Sequence, residues 1–189
     1  MTDFFALFGE ERRPWLEAER LKGKYHELTS RHHPDVTGET GDFAEINRGY
    51  QTLADPGARL RHLMELEAPG GVSRSQTVPE DVAGFFGAVA ETSGRVDGFL
   101  KRYAAAASPV AKAVLAAEQY RVQEEVEGII ARLQEKQEEL IGRVREVDGI
   151  WSTNRAAALR ALSGIWHSLG YVGKWLGTLR EGLFRLAGL

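Results

Sequence analysis

Apolar residues recur at helical spacing along nearly the whole chain, and runs alternating with period two are absent, so the pattern predicts an all-α protein. "DFFALFG", residues 3–9, is expected to be a short apolar helix with Asp3 as its cap and Gly9 at its end. Pro14 is expected to open a second helix at its first turn, with Ala18, Leu21, Tyr25, Leu28 and His32 on one stripe. Pro34 drives the residue before it away from helical angles, so that helix should stop at the histidines. After the polar loop "DVTGETGD" a third helix begins near Asp42 and sets Phe43, Ile46, Tyr50 and Leu53 against the second. These four read as core, where truncation of one costs about 2–5 kcal/mol.

The main interruption is "APGGVSRSQTVP", where Pro, Gly, Ser and Thr replace the periodic apolar residues. It divides the chain into a first domain over residues 1–68, a linker over 69–78 and a helical bundle over 79–189. In the bundle, Val82, Phe85, Phe86, Val89, Val96, Phe99, Leu100 and Tyr103 form one seam, and Ser108-Pro109 caps and opens the next helix. Val122, Val126, Ile129, Ile130, Leu133, Leu140, Ile141, Val144 and Val147 continue it, Asp148-Gly149 ends it, and Ser152 or Thr153 is expected to cap the last helix. Three amphipathic helices with short connections predict an antiparallel three-helix bundle.

The last helix carries Gly164, Gly170, Gly173, Gly177, Gly182 and Gly188, each costing roughly 1 kcal/mol of helix propensity relative to alanine. Close helix packing would offset that cost. An amphipathic segment on a membrane surface or against a partner is the second reading, with Trp166 and Trp175 as anchors. Lys174 and His167 argue against a transmembrane span in a stretch barely long enough for one.

The chain of 189 residues has no cysteine, which removes disulfides, thiolate catalysis and sulfur-ligated metal centres. Formal net charge is −3, so nothing in the bulk balance points to a nucleic-acid partner. The acidic N-terminus lacks a basic n-region followed by an apolar h-region, so it does not read as a signal peptide, and a cytoplasmic location is expected.

"SRHHPDV" gathers the most chemistry in the fewest residues. A metal site from His26, His32, His33 and Asp35 would need three or four convergent donors, whereas helix phase points His26 and His32 to different sides. A His33–Asp35 acid/base pair has no nucleophile or pocket signature beside it. No cofactor, metal or enzymatic activity is therefore expected. What remains is a helix stop followed by an exposed turn, with His32 packed into the stripe behind it.

Three stretches, "DFFALFG", "YHELTSRHHPD" and "FAEINRGYQTLADPGARLRHLMEL", together resemble the J domain of the DnaJ family, over roughly residues 3–68. "IN" followed by "YQTLADP", Arg59 and "LMEL" is more similar to HscB, the iron–sulfur-assembly co-chaperone type, whose J domain is also followed by a three-helix bundle. The resemblance implies a co-chaperone that stimulates ATP hydrolysis by a seventy-kilodalton heat-shock chaperone of the DnaK or HscA type. On that implication His33, Pro34 and Asp35 dock at the chaperone, with Lys22, Tyr25 and His26 on the adjoining helix face and Arg20, Lys24 and Arg31 on its other flank. Glu19 and Glu27 depart from the strongly basic DnaJ pattern. A proline-fixed carboxylate can accept a bidentate hydrogen bond from an arginine, so the implied contact is chemically sound. The implied client is an iron–sulfur scaffold or another protein, met through Phe85, Phe86 and Val89 of the first long helix, although "PEDVAGFFGAVAETSGRVDGFL" has no methionine and fewer acids than HscB. The alternative is a J-domain adaptor that recruits the chaperone to a membrane surface or another protein through its Gly/Trp-rich last helix.

Overall fold

The computed structural model describes residues 1–32, 41–70 and 77–189, and among these the regular structure is helical throughout. The helices are α1 (Phe4–Leu7), α2 (Ala18–Arg31), α3 (Gly41–Ala54), α4 (Pro56–Glu67), α5 (Glu80–Ala105), α6 (Pro109–Val114), α7 (Ala116–Asp148) and α8 (Arg155–Ala187). The chain forms two compact units, one of Met1–Arg74 with Ile141–Trp166 and one of Ser75–Leu140 with His167–Leu189. Residues 141–166 thus pack with the N-terminal part, across the expected linker at 69–78, most of which lies outside the described residues.

In the first unit, the Asp3 carboxylate accepts the Ala6 N–H at 3.2 Å and starts α1. Gly9 ends the turn at φ +57°, a left-handed angle that glycine adopts without steric cost. Phe4, Phe5 and Phe8 are buried. Their approach to α3 requires a glycine: a Cβ on Gly49 would sit 2.9 Å from Phe8 Cε2 and 3.1 Å from Phe4 Cδ1. α2 and α3 run antiparallel, with Tyr25 stacked on Tyr50 at 4.2 Å and Leu21, Ile46 and Leu53 buried. Asp55 caps α4 through a 2.6 Å bond from the Ala58 N–H, and Leu60 and Leu63 complete the core.

Two boundaries differ from expectation. Pro14 lies outside any helix, and α2 starts four residues later, at Ala18. Tertiary hydrogen bonds claim the backbone at Arg12, Pro14 and Trp15 and keep it out of the helix. Glu17, at the cap position of α2, makes no side-chain cap bond; its carboxylate instead accepts the Trp15 indole N–H at 2.9 Å. The cap of α8 is Asn154, which accepts the Ala157 N–H at 3.2 Å, rather than Ser152 or Thr153. Asparagine is as good a cap as serine, and turn hydrogen bonds from Trp151 and Thr153 occupy the residues before it.

The second unit is built from α5, the first part of α7 and the last part of α8. Arg95 pairs with Glu125 at 2.8 Å and Arg102 with Glu118, so α5 and α7 run antiparallel. Ser168 donates to Asp81 at 2.7 Å and Arg185 to Asp97 at 3.3 Å, so α8 returns parallel to α5. Val82, Val89, Val96 and Phe99 of α5, Val122, Val126, Leu133 and Leu140 of α7, and Leu169, Val172, Leu176, Leu179 and Leu186 of α8 are buried. Ser108 caps α6, which accepts its proline at the first position, and α7 begins after a break at Leu115.

Close packing explains one of the five glycines within α8, Gly188 lying just past its end. A Cβ on Gly182 would meet Val96 Cγ1 at 3.4 Å, whereas one on Gly164, Gly170, Gly173 or Gly177 would meet nothing within 4 Å. Trp175 is 7% exposed and belongs to the core, which removes it as a surface anchor. Among the described residues no helix is long and apolar enough to cross a membrane.

These glycines separate two effects that the sequence superimposes. Gly49→Ala forces the buried Phe4 and Phe8 rings to shift and is expected to lower the unfolding free energy by about 1–2 kcal/mol, overpacking outweighing the gain in helix propensity. Gly173→Ala meets no obstacle and is expected to raise it by roughly 0.5–1 kcal/mol. Urea denaturation of the two variants reads the opposite signs.

Candidate functional site

His33, Pro34 and Asp35 lie outside the described residues. The frame that carries them is described: the last turn of α2 leads into them and α3 begins beyond them. His32 is the C-cap of α2, its N–H bonded to the Leu28 carbonyl at 3.0 Å. Its ring is not packed into the hydrophobic stripe as expected. The side chain is 38% exposed, and Nδ1 lies 3.3 Å from Asp42 Oδ2 at the start of α3. A polar ring at the end of a helical hairpin meets the facing carboxylate more readily than a core that has already ended at Leu28.

Tyr25 is half-buried, because its hydroxyl donates to Asn47 Oδ1 at 2.6 Å while its ring stacks on Tyr50. Asn47 Nδ2 in turn donates to the Phe43 carbonyl at 2.9 Å, so the chain of hydrogen bonds sets the spacing of the hairpin. Lys22 and His26 stand exposed one turn apart on one flank of α2. On the other flank Arg20 and Lys24 both pair with Glu10, and Arg31 pairs with Glu27 at 2.6 Å.

The position of α2 depends on the connector before it, and three groups hold that connector. Arg59, 5% exposed, donates from Nε to the Pro14 carbonyl at 2.9 Å and from Nη1 to the Leu53 carbonyl at 2.6 Å. Burial pushes its guanidinium below its ordinary pKa, and the charges of Asp55 and Asp148 oppose that. Asp148, at the end of α7, accepts the Arg13 Nε–H at 3.1 Å, a second bond from Arg13 Nη2, and the Trp15 N–H at 3.1 Å. Trp151, in the turn after α7, donates its indole N–H to the Arg12 carbonyl at 2.7 Å. The spacing of these residues carried no signal that could have found this cluster, since Asp148 read only as a helix stop.

His62 is a second buried polar group. Its Nε2 accepts the Phe4 N–H at 3.1 Å, and its ring is parallel to that of Phe5 within 6° at 5.8 Å. Burial lowers its pKa from the ordinary value of 6.5; Asp3 and Glu65 oppose the shift and Arg12 adds to it. Among the described residues no group of three or more His, Asp or Glu side chains is arranged to hold a metal ion.

Of the candidate client-binding residues, Val89 is 5% exposed and belongs to the core, where its heptad position on α5 places it. Phe85 is half-buried with the Arg132 guanidinium 5.5 Å from its ring centre, and Phe86 is 58% exposed. Further along α5 and α7 a groove of 420 Å³ is lined by Arg95, Arg102 and Arg121 and by Glu91, Glu118 and Glu125. Such a charged lining lacks the apolar walls of a small-molecule pocket.

No family model matches the chain. Over 63 residues it is 43% identical to the chaperone protein DnaJ of Thermosynechococcus vestitus, a match covering 32% of this chain and 16% of that protein. Over 83 residues it is 36% identical to the DnaJ of Nostoc punctiforme, covering 42% and 21%. The chain therefore spans about a sixth to a fifth of the length of these relatives. Among solved structures, the chaperone HscB from Vibrio cholerae superposes over 95% of this chain and 96% of its own, with a TM-score of 0.58 and 21% identity.

Two expected outcomes follow from the buried polar groups. Asp148→Asn keeps the shape but removes the charge that Arg13 meets, and should lower the unfolding free energy by about 1.5–3 kcal/mol in chemical denaturation. For His62 the folded pKa lies below the unfolded one, so the unfolded chain binds more protons and stability rises with pH. The contribution is complete above pH 6.5 and is lost as pH falls from there through the lowered folded pKa. Urea midpoints measured between pH 7.5 and 5.5 should fall with acidity, and His62→Gln should flatten that slope. The chain is thus similar in sequence to DnaJ over a stretch of 63 residues, and along almost its whole length it has the fold of HscB.

Proposed function

We propose that this protein is a J-domain co-chaperone that stimulates the ATPase of a seventy-kilodalton heat-shock chaperone of the DnaK or HscA type and presents a client through its C-terminal bundle. The observation that carries this reading is the coincidence of DnaJ-like sequence in a J-domain-sized stretch with an HscB-like fold along almost the entire chain. Residues 1–68 are the recruiting module, 69–78 the linker and 79–189 the client-bearing part. His33, Pro34 and Asp35 dock with Lys22, His26 and the exposed edge of Tyr25. The protein carries out no chemistry of its own: by binding the hydrolysis-competent state of the chaperone better than the alternative, it shifts that equilibrium. The client, for which an iron–sulfur scaffold protein is the candidate, meets Phe86 and the uncovered part of Phe85. A cytoplasmic setting goes with this role.

Single-turnover ATPase assays with a purified DnaK-type chaperone test the reading. The unmodified chain should accelerate hydrolysis, and Asp35→Asn should return the rate to the unstimulated level while leaving the thermal melt unchanged. Lys22→Ala should raise the concentration for half-maximal stimulation roughly two- to five-fold, the scale of one screened ion pair. Full stimulation by Asp35→Asn would disprove the assignment.

A further inference from the structure

The cations of α2 lie on two flanks of its buried Leu21 stripe, and the sequence favours the wrong one. Arg20, Lys24 and Arg31 form a row of permanent charges, whereas the opposite flank offers Lys22 and His26 with Glu19 beside them. By charge alone the first row would steer an acidic partner more strongly.

Glu10 reverses that preference. Its Oε1 lies 2.7 Å from Lys24 Nζ and its Oε2 3.1 Å from Arg20 Nη2, and its side chain is 6% exposed. The end of α1 presets this position: Gly9 turns the chain at φ +57°, the Glu10 N–H bonds the Phe5 carbonyl at 2.8 Å, and Lys24 Nζ also donates to the Gly9 carbonyl at 2.8 Å. The carboxylate cannot easily give up its partners to a competing anion, because an unpaired charge so little exposed is costly. With Glu27 on Arg31, three cations meet two carboxylates on that flank, and their field is screened within about 8 Å at physiological salt. Among the described residues no ion pair holds Lys22, whose charge remains available.

We propose that Glu10 is a specificity-determining residue that silences the Arg20/Lys24 flank of α2, leaving the flank that carries Lys22 and His26 as the edge of that helix open to a chaperone. This rests on the docking reading above. It implies a partner whose acidic surface is narrow, and docking that depends only weakly on salt.

The test titrates the full chain and its variants against a DnaK-type chaperone at low and high potassium chloride, following ATPase stimulation. Arg20→Ala and Lys24→Ala should each leave the half-maximal concentration unchanged, whereas Glu10→Gln should lower it roughly two- to five-fold at low salt. That gain should vanish at high salt, and adding Arg20→Ala or Lys24→Ala to Glu10→Gln should cancel it. If either alanine variant in the otherwise unmodified chain weakens stimulation as much as Lys22→Ala, or if folded Glu10→Gln gives no gain, the masking role is overturned. The two alanine variants decide the matter even if Glu10→Gln fails to fold. A chain that gives no stimulation, or Asp35→Asn that stimulates fully, would instead remove the docking reading and the masking role with it.

Discussion

The connector between α1 and α2 is held by a carboxylate more than a hundred and thirty residues away in sequence, and the geometry of the first unit depends on that contact. Asp148 accepts both Arg13 bonds and the Trp15 N–H, Trp151 takes the Arg12 carbonyl, and Arg59 takes that of Pro14. A backbone engaged at three successive places cannot also enter a helix. The start of α2 is displaced to Ala18 for this reason, and the displacement sets which residues stand on each of its flanks. Breaking one member of such a network leaves its buried partner unsatisfied, which makes the network a device of specificity more than of net stability.

The same logic runs through the helical pair α2 and α3, between which the proposed docking residues lie in sequence. Tyr25, Asn47 and the Phe43 carbonyl form one hydrogen-bonded chain, and the Tyr25–Tyr50 stack lies beside it. Apolar burial supplies the energy through Leu21, Ile46 and Leu53, while the polar chain selects one register. Glu10 then acts on the electrostatics rather than on the fold of α2. Two groups of cations that look equivalent in the sequence become unequal because one lies against a carboxylate whose side chain is almost out of solvent.

The second unit shows the opposite balance. Its three helices are specified by a repeating apolar seam, and its cross-helix ion pairs, such as Arg95–Glu125 and Arg185–Asp97, are exposed and individually weak. Exposed pairs of this kind tolerate change. A bundle held by its seam can vary its surface, and this one displays Phe86 and a mixed-charge groove on α5 and α7.

Local signals were enough for the all-α class, for Asp3 and Gly9 bounding α1, for Asp148 closing α7 and for Ser108-Pro109 opening α6, because caps, glycines and prolines act through their own backbone. Heptad spacing likewise placed Val96, Leu133, Leu140 and Leu176 in the core, since burial on a helix follows its period. Where the sequence misled, a distant group had intervened. Pro14 was drawn out of a helix by Arg59 and the neighbouring contacts, and His32 was turned toward Asp42. The α8 glycines differ only in what faces them, Val96 for Gly182 and solvent for Gly173. Periodicity and capping are properties of neighbours along the chain, so the sequence determined the helices and their apolar faces by itself. Which charges are free and which carboxylate holds the connector are properties of neighbours in space, and only the tertiary structure decided them.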